Sequence, residues 1–203
     1  MSVFSNPAGN DGFHGGVFPS NLPIFVTSDH NLTCEVSFRP VKIFAVYGST
    51  KSGKTTTVVE IVKELRLRGY TVSTIKDVHA QDVVGDTVGK DTWRHWKAGA
   101  EVVGLRGPNE TLIMIKRPVT LNELIGHFGS DYLVLEGFKS VALPKILCAV
   151  DEEHIEKELQ SLVFCISGVA SAHLFAYKNL PVINALVNAP SLVDLVESES
   201  LIL

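Results

Sequence analysis

A mostly parallel, doubly wound α/β sheet is the fold this sequence predicts, on three observations. Apolar runs of strand length alternate with helix-like stretches from Val41 onward, the pattern of βαβ units. The first run, "VKIFAVYG", feeds straight into a glycine-rich loop and then a helix, as the opening strand of such sheets does. A later run, "DYLVLEG", is apolar between two acids, so that one carboxylate falls at the carboxyl end of a strand, where α/β sheets gather ligands.

Each element follows in order. Residues 1–40 hold four Gly and four Pro, and their charged residues are Asp11, Asp29, Glu35 and Arg39. They read as an N-terminal arm, flexible over its first twenty-odd residues, with "PIFVTSD" and "LTCEVSF" pairing as a short hairpin around Asp29–Asn31. Residues 41–203 form the second expected unit. After the first strand, Val58, Val59, Ile61, Val62 and Leu65 make the apolar side of a helix that Gly69 ends, glycine being the usual residue just past a helix C-terminus. "TVSTIK" is the second strand. Asp91 caps a helix running to about Ala98, "EVVGL" and "TLIMIK" are strands, and "VTLNELIGHF" is a helix. "DYLVLEGF", "KILCAV", "SLVFCIS" and a short "PVIN" are further strands, and a last helix starts at Pro190.

Composition narrows the classes. Over 203 residues, 45% are apolar and 20% charged, ordinary for a globular domain. A net charge of -4 speaks against a general nucleic-acid binder, which carries a basic excess. Cys34, Cys148 and Cys165 are scattered and lack C-x-x-C spacing, which suits a reducing compartment and buried small hydrophobes rather than a metal centre. No basic region precedes a continuous apolar run at the N-terminus. The uncharged stretch Gln160–Tyr177 contains Ser161, Ser167, Gly168, Ser171 and His173, a buried strand and loop rather than a membrane span. A cytoplasmic protein that contacts no membrane is expected.

The chemistry concentrates at "YGSTKSGKTTTVVEIV". Gly48, Gly53, Lys54 and Thr55 spell G-x-x-x-x-G-K-T, a phosphate-binding loop in its confirming strand–loop–helix context. Its glycines let the chain curl so that backbone N–H groups converge on phosphate oxygens, and the helix adds its positive end. Lys54 reaches the β- and γ-phosphates, and the Thr55 hydroxyl is placed to bind Mg²⁺. Ser49, Thr50, Lys51 and Ser52 complete the loop and Thr56 follows it. The sheet is therefore expected to be of the P-loop NTPase type.

Two further regions converge on this loop. Glu136, at the carboxyl end of its strand, is expected to hold Mg²⁺ through water or to orient a nucleophilic water, with Gly137 turning the chain beside it. Asp131, at the strand's other end, reads as a solvated entry residue. Lys76 emerges at the end of "TVSTIK" on the same face, so Lys54, Glu136 and Lys76 form the candidate catalytic set. The polar stretch from Thr74 to Ala100 supplies Lys76, Lys90 and Arg94 for a second anion. Asp77, His79, Asp82 and Asp86 are candidates for general-base or metal contacts. Asp91 as a simple N-cap, and His95 and Lys97 as a solvated helix face, are the plainer readings there. Trp93 and Trp96 read as core or interface.

Taken together, these segments resemble the molybdopterin-guanine dinucleotide biosynthesis protein B (MobB) family over about Val41 to Ile146. The resemblance rests on "SGKTT", on "RGY" before "TIK", on the G-K-D-x-x-R-x-x-x-A-G-A run from Gly89 to Ala100, and on "LVLEGFK" followed by "PKI". It implies a GTP-binding protein with weak GTPase activity that uses Mg²⁺. It also implies a homodimer, and a guanylyltransferase partner that attaches GMP to the molybdenum or tungsten pterin cofactor, itself a possible ligand. The residues carried over are those of the loop with Lys76, His79, Asp86, Lys90, Asp91, Arg94, Glu136 and Lys139. The family's K-H-x-H-H run is here Lys76-Asp77-Val78-His79-Ala80, and Val88 stands where proline is common. No [N/T]-K-x-D guanine-reading motif is present, so GTP rests on the resemblance and ATP stays open. The alternatives are an ATP-dependent phosphoryl-transfer enzyme or ligase of the dethiobiotin-synthetase type, whose strand end "LEG" is similar, and a non-catalytic nucleotide switch.

Overall fold

A computed structural model describes residues 26–28, 31–33, 40–78 and 91–203. The chain divides into two compact units, Met1–Ser37 and Phe38–Leu203. In the first, β1 (Val26–Ser28) and β2 (Asn31–Thr33) pair antiparallel with Ser28 opposite Asn31, so Asn31, read as part of a turn, lies in a strand.

The second unit opens with β3 (Lys42–Gly48), α1 (Lys54–Leu67) and β4 (Val72–Lys76), followed by α2 (Asp91–Lys97), β5 (Val102–Arg106), β6 (Thr111–Ile115) and α3 (Leu121–Ile125). It continues with β7 (Tyr132–Glu136), β8 (Lys145–Cys148), α4 (Glu152–Glu158) and β9 (Val163–Ser167). A 3₁₀ turn at Val169–Ala172 leads to β10 (Ala176–Tyr177), β11 (Leu180–Pro181), α5 (Ala189–Glu199) and β12 (Leu201–Ile202).

The central sheet runs β4-β7-β3-β8-β9, all parallel. β12 pairs antiparallel with the start of β3, Leu201 opposite Ile43. The β7 side of β3 is paired from Lys42 onward, whereas β8 joins only at Ala45, so β12 completes the edge that β8 leaves bare. The sheet is the mostly parallel, doubly wound one that the alternation of elements predicts.

Period-two alternation sorts β3 onto two cores. Phe44 and Val46 pack with Val58, Ile61 and Leu65 of α1 and with Leu192, Val193 and Val196 of α5. On the opposite face, Ile43 and Ala45 join Leu133 and Leu135 against Leu121 and Ile125 of α3. Tyr47 packs there with Ile155 of α4. Each fully buried aliphatic side chain contributes about 1.5–3 kcal/mol. Val59, expected on the apolar side of α1, is instead exposed, because the stripe facing the sheet runs through Val58, Ile61 and Leu65.

α1 ends at Gly69 as expected. With Gly69 at φ 88°, its N–H donates to Arg66 O at 3.1 Å and the Tyr70 N–H to Leu65 O at 3.1 Å, the paired bonds of a Schellman motif. Arg68 beside it joins the two helices on that face, lying 2.9 Å from Glu64, 2.8 Å from Asp194 and 3.0 Å from Glu197. Asp131 is more than a solvated entry residue: its carboxylate accepts from the Thr71 N–H at 2.7 Å and the Thr71 hydroxyl at 2.6 Å, tying the starts of β4 and β7. Cys148 and Cys165 are buried in the α1/α5 core, and desolvation pushes both thiols up to about 12, which keeps them protonated and inert.

Two elements depart from expectation. "EVVGL" and "TLIMIK" form a separate antiparallel pair, Val103 opposite Met114. Their connection is a tight turn in which Gly107 N–H donates to Glu110 O at 2.8 Å, and a parallel pair would need a long crossover. A helix, α4, also stands between β8 and β9 where the sequence reading placed only strands. Its signals were local. Asp151 caps it by accepting from His154 N–H at 2.8 Å, Glu152 and Glu153 occupy the first turn, and Lys157 the last, all favourable at those ends. "PVIN" contributes β11 and a single parallel bridge from Val182 to Ile166.

Candidate functional site

The phosphate loop lies between the end of β3 and α1. A Cβ on Gly48 would sit 2.0 Å from Cys148 O, so only glycine lets β3 turn against β8. Lys51 sits at φ 62°, an uncommon conformation for a side-chain-bearing residue and one that turns clustered at ligand clamps adopt. Gly53 is the N-cap of α1 and offers no side-chain cap. The first-turn N–H groups of α1 therefore remain open toward a ligand, with the positive end of the helix dipole behind them. The Ser52 hydroxyl is fully buried and has no partner among the described residues. A buried hydroxyl needs an acceptor, and a phosphate oxygen in the loop is a suitable one.

Strand order brings the rest of the site together. β7 inserts between β4 and β3, so Glu136 lies beside both Val46 and Lys76 in register. The Thr55 hydroxyl donates to Glu136 Oε1 at 2.7 Å, and Lys76 Nζ lies 2.9 Å from the same oxygen. Lys76 Nζ also lies 3.5 Å from Thr55 Oγ1. Lys54 Nζ donates to Ser49 O at 2.6 Å, holding the loop curled. Gly137 N–H donates to Val46 O and Asp77 N–H to Glu136 O, both at 2.9 Å, so the chain turns tightly past the site at two neighbouring strand ends.

These groups line a cleft of about 470 Å³, walled by Thr50 to Thr56, Lys76, Asp77, Glu136 and Gly137. Its lining combines lysines, a hydroxyl and a carboxylate. Thr55 and Glu136 are hard oxygen donors, which suit Mg²⁺, an ion that takes one or two protein oxygens and completes its shell with phosphates and water.

Not every predicted residue joins them. Asp91 and Arg94 sit exposed on α2, 3.7 Å apart, and do not line the cleft. Lys139 pairs with Glu158 at 2.6 Å and does not line it either. His79, Asp82, Asp86 and Lys90 lie outside the described residues. Trp93 and Trp96, read as core or interface, are half-buried on α2 rather than in a core, and Lys116 Nζ lies 3.9 Å from the Trp96 ring centroid. Gly168 is not among the predicted site residues, yet its Cα sits 3.0 Å from the position a Cβ on Gly53 would take. Its signal was the repeated pattern of an apolar strand closing on glycine: "AVYG", "VLEG" and "CISG".

A parallel sheet with this loop, a capless helix N-terminus and a carboxylate on the adjoining strand defines a P-loop nucleotide-binding protein. The model of the molybdopterin guanine dinucleotide synthesis protein B family matches residues 43–171. A probable molybdopterin-guanine dinucleotide biosynthesis adapter protein of Bacillus subtilis is 30% identical over 165 residues, covering 79% of this chain and 94% of its own. The adapter protein of Haemophilus influenzae is 32% identical over 164 residues, covering 78% and 89%. The crystal structure of Bacillus subtilis MobB superposes with a TM-score of 0.66 at 29% identity, over 79% of this chain and 98% of that one. The chain belongs to the MobB family. These relatives give no support to the ligase alternative.

Proposed function

We propose that this chain is an adapter in molybdopterin-guanine dinucleotide synthesis that binds GTP with Mg²⁺ and hydrolyses it slowly. The observation that carries the reading is the convergence of Thr55, Lys76 and Glu136 from three chain segments beside the phosphate loop, in a family whose curated members bear the adapter name. Lys54 and the first-turn amides of α1 bind the β- and γ-phosphates. Thr55 and Glu136 hold the metal, which supplies charge neutralisation on the phosphates. Lys76 releases Glu136 to the metal and water and turns toward charge developing on the γ-phosphoryl group. The partner is a guanylyltransferase that joins GMP to the pterin cofactor.

Reconstitution tests this reading. With Mg²⁺ and GTP present, the chain should raise the yield of guanine dinucleotide cofactor made by the guanylyltransferase. A chain that binds no GTP and leaves that yield unchanged would sink the proposal. Glu136→Gln keeps the shape but removes the charge. Turnover should drop by about tenfold or more while GTP affinity changes by less than about threefold, and an unchanged rate would take Glu136 out of the mechanism.

The chain is a homodimer in this reading, supported by Val102, Leu105, Leu112 and Ile113, apolar and exposed on the β5–β6 pair. In the register of the pair, Val102 and Ile113 share one face and Leu105 and Leu112 the other, and apolar side chains exposed on both faces of a separate two-stranded sheet mark an interaction surface. Light scattering should give twice the 22.1 kDa chain mass, falling to one chain in Leu105→Asp/Ile113→Glu. A monomeric parent protein would refute it.

A further inference from the structure

A second cleft, of about 210 Å³ and mainly apolar, opens on the other side of the N-terminus of α1. Gly53 and Thr56 line both clefts, so a ligand on the loop can extend from one into the other. Their placement follows from strand order. Glu136 and Lys76 lie on the β7 and β4 side of β3, whereas the second cleft is walled by Gly168 and Val169 after β9, on the β8 and β9 side. A triphosphate whose γ end faces Glu136 therefore carries its nucleoside toward β9.

The remaining wall is the segment after β11. Ile183 N–H donates to Ile166 O at 2.9 Å, which pins this segment along β9 and sets Asn184 and Leu186 against the cleft. Val169 and Leu186 are 45% and 69% exposed, apolar side chains well suited to sandwich a flat ring. Asn184 is the polar group with a fixed orientation. Its Oδ1 accepts from Leu186 N–H at 3.0 Å, which commits the amide oxygen inward. Its NH₂ group has no hydrogen-bond partner among the described residues. The free end of that side chain can only donate.

We propose that this cleft is the base pocket of the nucleotide and that Asn184 is its specificity-determining residue, donating to the O6/N7 edge of guanine. This rests on the triphosphate reading of the loop. Guanine presents two acceptors, O6 and N7, along that edge, whereas adenine replaces O6 with the N6 amine donor. A fixed donor therefore favours guanine and leaves adenine with one unpaired or opposed group. The discrimination needs no [N/T]-K-x-D motif.

Calorimetric titration with Mg²⁺ and four ligands tests it: GTP, ITP, ATP and inorganic tripolyphosphate. GTP and ITP share O6 and N7 and should bind alike, with ATP weaker by about tenfold or more. Asn184→Asp puts an acceptor against O6 and should weaken GTP and ITP by about tenfold or more while leaving tripolyphosphate unchanged. Ala172→Leu, which fills the cleft without touching the Asn184 hydrogen bond, should weaken all three nucleotides and again spare tripolyphosphate. A GTP-to-ATP ratio unmoved by Asn184→Asp, or nucleotides binding no better than tripolyphosphate, would overturn the base pocket while leaving the loop reading intact. Failure of the parent protein to bind tripolyphosphate or any nucleotide would overturn both.

Discussion

Lys54→Ala should reduce GTP affinity by about a hundredfold or more and abolish turnover. Lys54 is the ammonium that opens α1, and its Nζ lies 2.6 Å from Ser49 O across the curled loop. A triphosphate would replace that neutral carbonyl with anionic oxygens. Charge-assisted bonds of this kind contribute about 1.5–3 kcal/mol each, and about 1.4 kcal/mol corresponds to a factor of ten. The first-turn amides and Thr55 survive the change, so residual weak phosphate binding is expected rather than none. Folding should suffer little, because the lost Lys54–Ser49 bond is a single contact worth about 1 kcal/mol. Calorimetry with GTP and a thermal melt separate the two effects. GTP affinity within about threefold of the parent would show that the loop does not carry the phosphates.

Gly168→Ala should be, with Gly48→Ala, one of the two most damaging glycine-to-alanine changes in the described part of this domain. The Gly168 backbone sits at φ 83°, and a Cβ there would lie 2.1 Å from Ser52 O and 3.1 Å from Ala149 N and O. All are backbone atoms, and none can swing aside. Ser52 O also accepts from Val169 N–H at 3.1 Å, so displacing it disturbs the phosphate loop directly. Positive φ and overpacking together are expected to cost about 2–4 kcal/mol, a fall in Tm on the order of 5–15 °C. GTP affinity should fall as well. Gly69→Ala is the matched control. Its φ is 88° with no atom within 4 Å of the added methyl, so it should cost only about 1 kcal/mol and leave GTP binding unchanged. Equal effects at the two positions would refute the close-contact explanation.

The elements legible in the sequence are those whose causes are local. The G-x-x-x-x-G-K-T spacing, the apolar stripe of α1, the Gly69 terminator and the pairing of β1 with β2 each depend on residues within a few positions of one another. Most of the strands were legible for the same reason, since an apolar run bounded by polar or glycine residues declares itself. α4 had signals of the same kind in Asp151, Glu152 and Glu153, and they were passed over. Membership of the polar stretch in one site was not legible, because density of charged residues along the chain does not say which way a helix faces. Asp91 and Arg94 accordingly lie exposed on α2, outside the cleft that Lys76 and Glu136 line.

By itself, then, the sequence determined that a strand, a phosphate loop and a helix stand in succession, and that an acid closes a later apolar strand. Tertiary structure alone decided that β7 enters the sheet between β4 and β3, which sets Glu136 2.7 Å from a hydroxyl 81 positions earlier. It alone decided that β5 and β6 leave the sheet, and that the Gly168 turn packs on the loop and the Asn184 segment on β9. The physical reason is that strand order is chosen by the burial of whole faces and by crossovers between distant segments. Local periodicity records only that a face is apolar, not which neighbour will cover it.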